Sequence, residues 1–226
     1  MTKFRVNRIW KIPMVEITKR GRGRPQTRCD EDTRTLIIDA ANQHFCEFGF
    51  AASNINLIAK TAGISVKTLY RLYPAKSDVF ESVVKERMDR YVLTFDESEI
   101  REMDIRTGLV ELLTSYGTLT LSDYVLSISQ LVIAEAERFP EIAQTFYDKA
   151  IMETNRVFLR WLTFHAKNRR IEVADAEQTA GMLRGMMLME PQRGVFLRQL
   201  QAPTQAEIRA RAERCADLFL KGCLTP

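Results

Sequence analysis

The sequence predicts an all-α fold, and three observations carry that prediction. Apolar residues recur at helical spacing, as in Leu36, Ile37, Ala40, Ala41, Phe45 and Phe48. No run of alternating Val, Ile and Thr bounded by hairpin turns asks for a sheet. Helix punctuation stands where helices need it: Ser53, Ser65, Ser77, Asp78 and Asp123 at starts, Gly49 and Gly63 at stops, Pro74 and Pro140 beside helix ends. With 226 residues and 46% hydrophobic content the chain has enough material for one or two compact domains.

The chain opens with a basic arm. Residues 1–30 hold nine Lys or Arg against Glu16 and Asp30, a net +7, while the whole chain carries +4, so the remaining residues carry −3. Such an arm raises DNA affinity through counterion release, an effect that fades with salt. Within it lies Lys19-Arg20-Gly21-Arg22-Gly23-Arg24-Pro25. The R-G-R-P core is similar to an AT-hook, in which arginines such as Arg22 and Arg24 follow the narrow minor groove of A·T-rich DNA. The bland alternative is a flexible basic tail that touches phosphates without reading sequence.

Residues 31–50 form an amphipathic helix stopped by Gly49, and residues 53–76 follow as the most informative stretch. They read as two short helices joined by a turn at Gly63, where a left-handed backbone ends the first helix. Ser53 is the expected N-cap of the first, Ser65 of the second, and Pro74 stops the second. Ile55, Ile58 and Ala59, then Ile64, Leu69 and Leu72, supply the buried face. The stretch holds Lys60, Lys67, Arg71 and Lys76 and no acidic residue, which suits a phosphate-lined groove. In helix-turn-helix geometry the N-terminal side chains of the second helix reach base edges. Here these are Ser65, Val66, Lys67 and Thr68, with Tyr70 and Arg71 one turn on. An ordinary helical hairpin with a solvated basic face is the alternative.

Phe45, Gly49-Phe50, Ile58-Ala59, Ala62-Gly63, Ser65, Thr68-Leu69-Tyr70, Tyr73 and Lys76 together resemble the TetR/AcrR family of bacterial transcriptional regulators. The resemblance implies a three-helix unit that enters the major groove as a dimer. It also implies that Lys76 meets a phosphate and that Tyr70 and Tyr73 pack or touch the DNA backbone. Lys67 stands where the family often has a small residue, and Tyr73 where it commonly has Phe, which bears on which operator is read. The division expected is an arm at 1–28, a helix-turn-helix domain at 29–78 and a helical effector-binding and dimerisation domain at 79–226.

Beyond the motif, helices are expected at 77–96, 104–119, 122–138, 140–167, 175–199 and 204–222. The segments 129–150, LRGMML and DLFLKG resemble the C-terminal domain of the AefR-like subgroup of that family. In such proteins the last two long helices pair across a dimer. Leu183, Met187, Phe196, Leu197, Leu200, Ile208, Ala212, Cys215, Leu218 and Phe219 are then the interface candidates, the alternative being that they pack within one subunit. The same domain often holds a small-molecule pocket. Leu112, Leu113, Tyr116, Gln130, Phe158, Trp161, Leu162, Phe164, Met186 and Met189 are the candidates here, though Met and aromatic residues at helical spacing commonly form core. His165, near a helix end, reads as a solvated cap.

Other classes find little support. There is no G-x-S-x-G, no Walker A loop and no H-E-x-x-H, so no enzyme is expected. Cys29, Cys46, Cys215 and Cys223 show no C-x-x-C spacing, and His44 and His165 are the only histidines, so neither a metal nor a cofactor is expected. No stretch approaches a membrane span or a secretory signal, which points to a cytoplasmic protein with reduced thiols. The expected partners are double-stranded operator DNA, a second copy of the chain and an apolar or amphipathic effector that releases a repressor. Two other readings stay open: a regulator without ligand, governed by a partner protein or cysteine oxidation, and an activator or architectural protein in which the arm dominates.

Overall fold

The computed structural model describes residues 29–93 and 102–223. The arm with Arg22 and Arg24 lies outside the described residues. Among those described there are helices and connecting turns and no strand.

Helix α1, Asp30–Ala52, starts at Cys29, whose sulfur accepts from Asp32 N–H. Asp30, Glu31 and Asp32 fill its first turn, where carboxylates oppose the helix dipole favourably. Gly49 breaks the helical path at φ 80°, and one further turn runs to Ala52. That bend swings Phe50 into the core and leaves Phe48 49% exposed, so Phe48 does not belong to the buried side. His44, buried, takes that side instead, with its Nε2 at 2.9 Å from Thr61 Oγ1.

Helices α2, Ile55–Thr61, and α3, Val66–Leu72, are the two short helices of the motif. Asn54, not Ser53, caps α2: its side chain accepts from Asn56 N–H at 2.8 Å. Ser53 is buried and donates its hydroxyl to His44 and Gly49 carbonyls, closing α1 rather than opening α2. Gly63 has φ 67°, and Ile64 N–H returns to Ala59 O at 3.0 Å, the closure expected of a left-handed stop. Ser65 caps α3 by accepting from Thr68 N–H at 3.0 Å.

Helix α4, Lys76–Leu93, carries Val79, Phe80, Val83 and Val84 into the core beneath α1–α3. Phe45, Phe50 and Phe80 meet edge-on or tilted at centroid distances of 5.5–5.8 Å. Such ring pairs add about 0.5–1.5 kcal/mol each beyond the area they bury.

The second part comprises α5 (Ile105–Thr120), α6 (Asp123–Glu135), α7 (Pro140–Phe146), α8 (Met152–Lys167), α9 (Ala176–Phe196) and α10 (Gln205–Cys223). The helix expected over 140–167 is interrupted by a wide π turn at Tyr147–Ile151, between α7 and α8. The core of this part is built from Leu109, Leu112, Leu113, Phe158, Trp161, Leu162, Leu183, Met187, Ile208 and Ala212, among others. His165 is fully buried in that core with its ring 4.2 Å from Trp161, so it is no solvated cap. No single helix among the described residues is long and apolar enough to cross a membrane. Only the α5–α6 pair reaches that length and composition jointly, and it is bent by 62° at the break between the helices.

The two parts share side chains. Ile128, Leu131, Val132 and Ile142 of α6 and α7 belong to the same apolar cluster as the helix-turn-helix. Glu135 Oε1 also accepts from Ala51 N–H at 3.0 Å, tying α6 to the end of α1.

Candidate DNA-binding face and effector cavity

Helix α3 presents Ser65, Lys67, Tyr70 and Arg71 to solvent, with Val66 and Thr68 half-buried at its start. Leu69 and Leu72 point the other way, into the core, so the basic face is outward by packing. Tyr70 is 49% exposed. Tyr73 is buried instead, at 3% exposure, with the Arg34 guanidinium 5.2 Å from its ring centre. Its ring therefore belongs to the core, on the packing side of the two options left open for it.

Two cations expected at DNA are engaged within the protein. Arg71 forms a two-pronged ion pair with Asp30, Nη2–Oδ1 2.6 Å and Nη1–Oδ2 2.9 Å, which pins α3 to the start of α1. That guanidinium holds the Asp30 carboxyl below the usual carboxylate range. Lys76 departs further from expectation. Its ammonium donates to the carbonyls of Phe50 at 2.6 Å, Ala51 at 3.3 Å and Ser53 at 3.1 Å, and lies 4.4 Å from the Phe50 ring centre. An ammonium has three protons. All three are used at the C-terminal end of α1, where a cation also meets the negative end of the helix dipole. Lys76 is thus engaged within the protein, and desolvation lowers its pKa.

A cavity of about 420 Å³ lies between α4 and the helical bundle. Its wall takes Val84 and Met88 from α4, Tyr116 and Leu119 from α5, Val125, Ile128 and Val132 from α6, Tyr147 and Ile151 from the π turn, and Arg184, Leu188 and Gln192 from α9. The size falls within the range of small-molecule sites. Of the expected pocket residues only Tyr116 lines it. Leu113, Phe158, Trp161 and Leu162 are core, at 0–3% exposure, and Met186 packs partly against that core. Gln130 is exposed and donates to Phe196 O at 3.3 Å, while Met189 is 55% exposed on the outward side of α9. Phe158 and Trp161 of α8 face that core, while the π turn brings Tyr147 and Ile151 to the cavity wall. A signal was present in sequence, since Arg184, Leu188 and Gln192 stand at four-residue spacing on one helix face.

The expected dimer residues divide in the same way. Leu183, Met187, Ile208 and Cys215 lie at 0–6% exposure inside a single chain and have no free surface to offer a second copy. Phe196 and Phe219 are half-buried against that core, and Leu197 is 63% exposed. The outward apolar surface of α9, α10 and their connection consists of Met182 and Met189 together with the candidates Leu197, Leu200 and Leu218, each 55–65% exposed.

Among the described residues no group of His, Cys, Asp and Glu could hold a metal ion. Comparison with known proteins agrees with the architecture. Residues 37–83 match the family described as bacterial regulatory proteins, tetR family, and residues 107–222 match the AefR-like transcriptional repressor, C-terminal domain. A fatty acid metabolism regulator protein of Bacillus subtilis is 29% identical over 92 residues, 41% of this chain and 47% of its own length. The regulator UidR of Escherichia coli is 27% identical over 130 residues, 58% of this chain and 65% of its own. The chain therefore spans between about half and two thirds of these relatives. A TetR-family regulator from Mesorhizobium loti superposes with TM-score 0.78 at 23% identity, over 88% of this chain and all of that one. The flavonoid-responsive regulator FrrA superposes with TM-score 0.68 at 25% identity, over 86% of this chain and 98% of that one. The helix-turn-helix at the N-terminus and a bundle match covering more than half the length lead to one conclusion: this chain belongs to the TetR family of transcriptional regulators.

Proposed function

We propose that this chain is a homodimeric repressor that is released from its operator when a small apolar or amphipathic effector enters the cavity. The observation that carries this reading is the shared wall: Val84 and Met88 line the cavity on the same helix whose Val79, Phe80 and Val83 seat the DNA-reading unit. A ligand that prefers a different packing around α4 moves that unit, and shifts the equilibrium only by its differential affinity for the two states. Two reading helices must stand about one DNA turn apart, ~34–36 Å, to occupy two half-sites. Outward apolar residues on α9 and α10, Met182, Met189 and Leu218, support pairing with a second copy. Similarity to regulators named for fatty acid metabolism and for flavonoid response supports an apolar or amphipathic effector. The cavity weighs against a ligand-free regulator. The division at 29–78 and 79–226 remains part of this proposal, with the shared apolar cluster as the coupling between the two parts.

The test is a footprint on the DNA flanking the protein's own gene, followed by titration with compounds extracted from the host. A protected palindrome released by a compound supports the reading. The release mechanism is falsified if no compound changes operator affinity while the bundle stays folded.

A further inference from the structure

Arg184 is the one charged residue among the described residues that line the cavity, and its surroundings are unusual for an arginine. No carboxylate pairs with it among the described residues, and its Nε is buried without a hydrogen-bond partner. Its Nη1 reaches the Ile151 carbonyl at a long 3.4 Å, and the guanidinium also meets the Tyr116 phenol. That carbonyl, at the end of the π turn, already accepts from Thr154 Oγ1 at 2.8 Å. A guanidinium has five N–H donors in a planar fork, matched in shape to a carboxylate. Leaving one inside a largely apolar wall without an anion is costly.

Three hydroxyls of the wall are already engaged. Thr120, Ser129 and Thr154 donate their hydroxyls back to the carbonyls of Tyr116, Val125 and Ala150 in their own helices. Tyr116 is 3% exposed and stands beside Arg184 with its phenol pushed up to about 12 by burial, against the pull of the guanidinium. It is therefore a neutral O–H, a donor for an anion bound to Arg184. Arg184 and Tyr116 thus stand together in a cavity whose wall is otherwise mostly apolar, with Val84, Met88, Leu119 and Ile128 among its residues.

We propose that the effector is an amphipathic carboxylic acid, bound as the anion: its carboxylate sits on Arg184 and Tyr116, and its apolar body lies along α4, α5 and α6. This rests on the effector reading given above and deepens it. It also explains why the cavity carries one positive charge and no negative one: a neutral apolar ligand would leave the Arg184 Nε as unpartnered as before.

The experiment is calorimetric titration of the full chain, free of DNA, with pairs of acids and their matched primary alcohols: octanoic, decanoic, dodecanoic and 3-phenylpropionic acid. The expected result is at least tenfold tighter binding of one or more acids than of the alcohol, with fatty or aromatic preference read from which pair responds. Arg184→Gln should remove that preference while alcohol binding persists, which also reports that the cavity is folded. Arg184→Lys should retain part of it. Equal binding of acid and alcohol, no binding by any acid, or a preference that survives Arg184→Gln would overturn the proposal. Operator release is measured separately on the same ligands. Alcohols that bind and release operator would leave the repressor reading standing without the anion site. Acids that bind through Arg184 without release would leave the site standing without the repressor reading.

Discussion

Lys76 and Arg71 are the two residues whose expected and observed environments differ most in consequence. An ammonium at the end of α1 holds together the carbonyls of Phe50, Ala51 and Ser53. Lys76→Ala leaves those carbonyls short of a charged donor, a loss on the order of 1–3 kcal/mol. The expected outcome is a lowered melting temperature with an unchanged slope of log affinity against log salt. A slope reduced by about one unit would instead mean a phosphate contact. Arg71 gives the opposite expectation. Asp30→Asn frees its guanidinium for a neighbouring phosphate, so DNA affinity should rise at low salt and the slope should steepen by about one unit. The pair also has a pH signature. Asp30 has its folded pKa depressed by Arg71, so the stabilisation is present above the ordinary carboxylate range and is lost as pH falls through the folded value. Acid titration of Asp30→Asn should lack that component.

At the scale of elements, the turn between α2 and α3 and the outer face of α9 and α10 decide most. Gly63 at φ 67° has open space where a Cβ would stand, so a substitution there strains the backbone without a clash. Gly63→Val should cost about 1–2 kcal/mol, read by thermal denaturation, with operator affinity falling as α3 loses its angle to α2. On α9 and α10 the prediction separates two kinds of apolar residue. Met189→Glu with Leu218→Glu should leave a folded chain that sediments as a monomer and no longer protects a palindrome. Leu183→Glu should unfold the bundle, because that side chain is buried within one subunit. Sedimentation velocity beside circular dichroism distinguishes the two outcomes.

For the whole molecule, the shared cluster of α1, α4, α6 and α7 makes the reader and the cavity one mechanical unit. A ligand at 100 times its Kd should stabilise the folded state by about 2.7 kcal/mol, seen as a raised melting temperature. Filling the cavity with Val125→Phe should abolish that rise and hold the protein on its operator in the presence of effector. The helical architecture, the helix-turn-helix at 53–76, the Gly63 stop and the Ser65 cap were legible in the sequence, because each depends on spacing and backbone chemistry within a few residues. The Ser53 and Asn54 exchange was not, since both residues can cap and only the fold says which hydroxyl is buried. Position 76 shows the same limit: a lysine at a helix start is compatible with a phosphate or with the end of α1, and only the path of the chain at Gly49 brings those carbonyls to it. Sequence by itself thus determined which segments are helical, which face of α3 is basic and which family the N-terminal unit resembles. Tertiary structure alone decided which apolar residues line the cavity, which stay exposed on α9 and α10 and which cations are engaged within the protein. The reason is that helical periodicity defines an apolar stripe but not its neighbour: the stripe of Phe158, Trp161 and Leu162 meets the core, not the cavity.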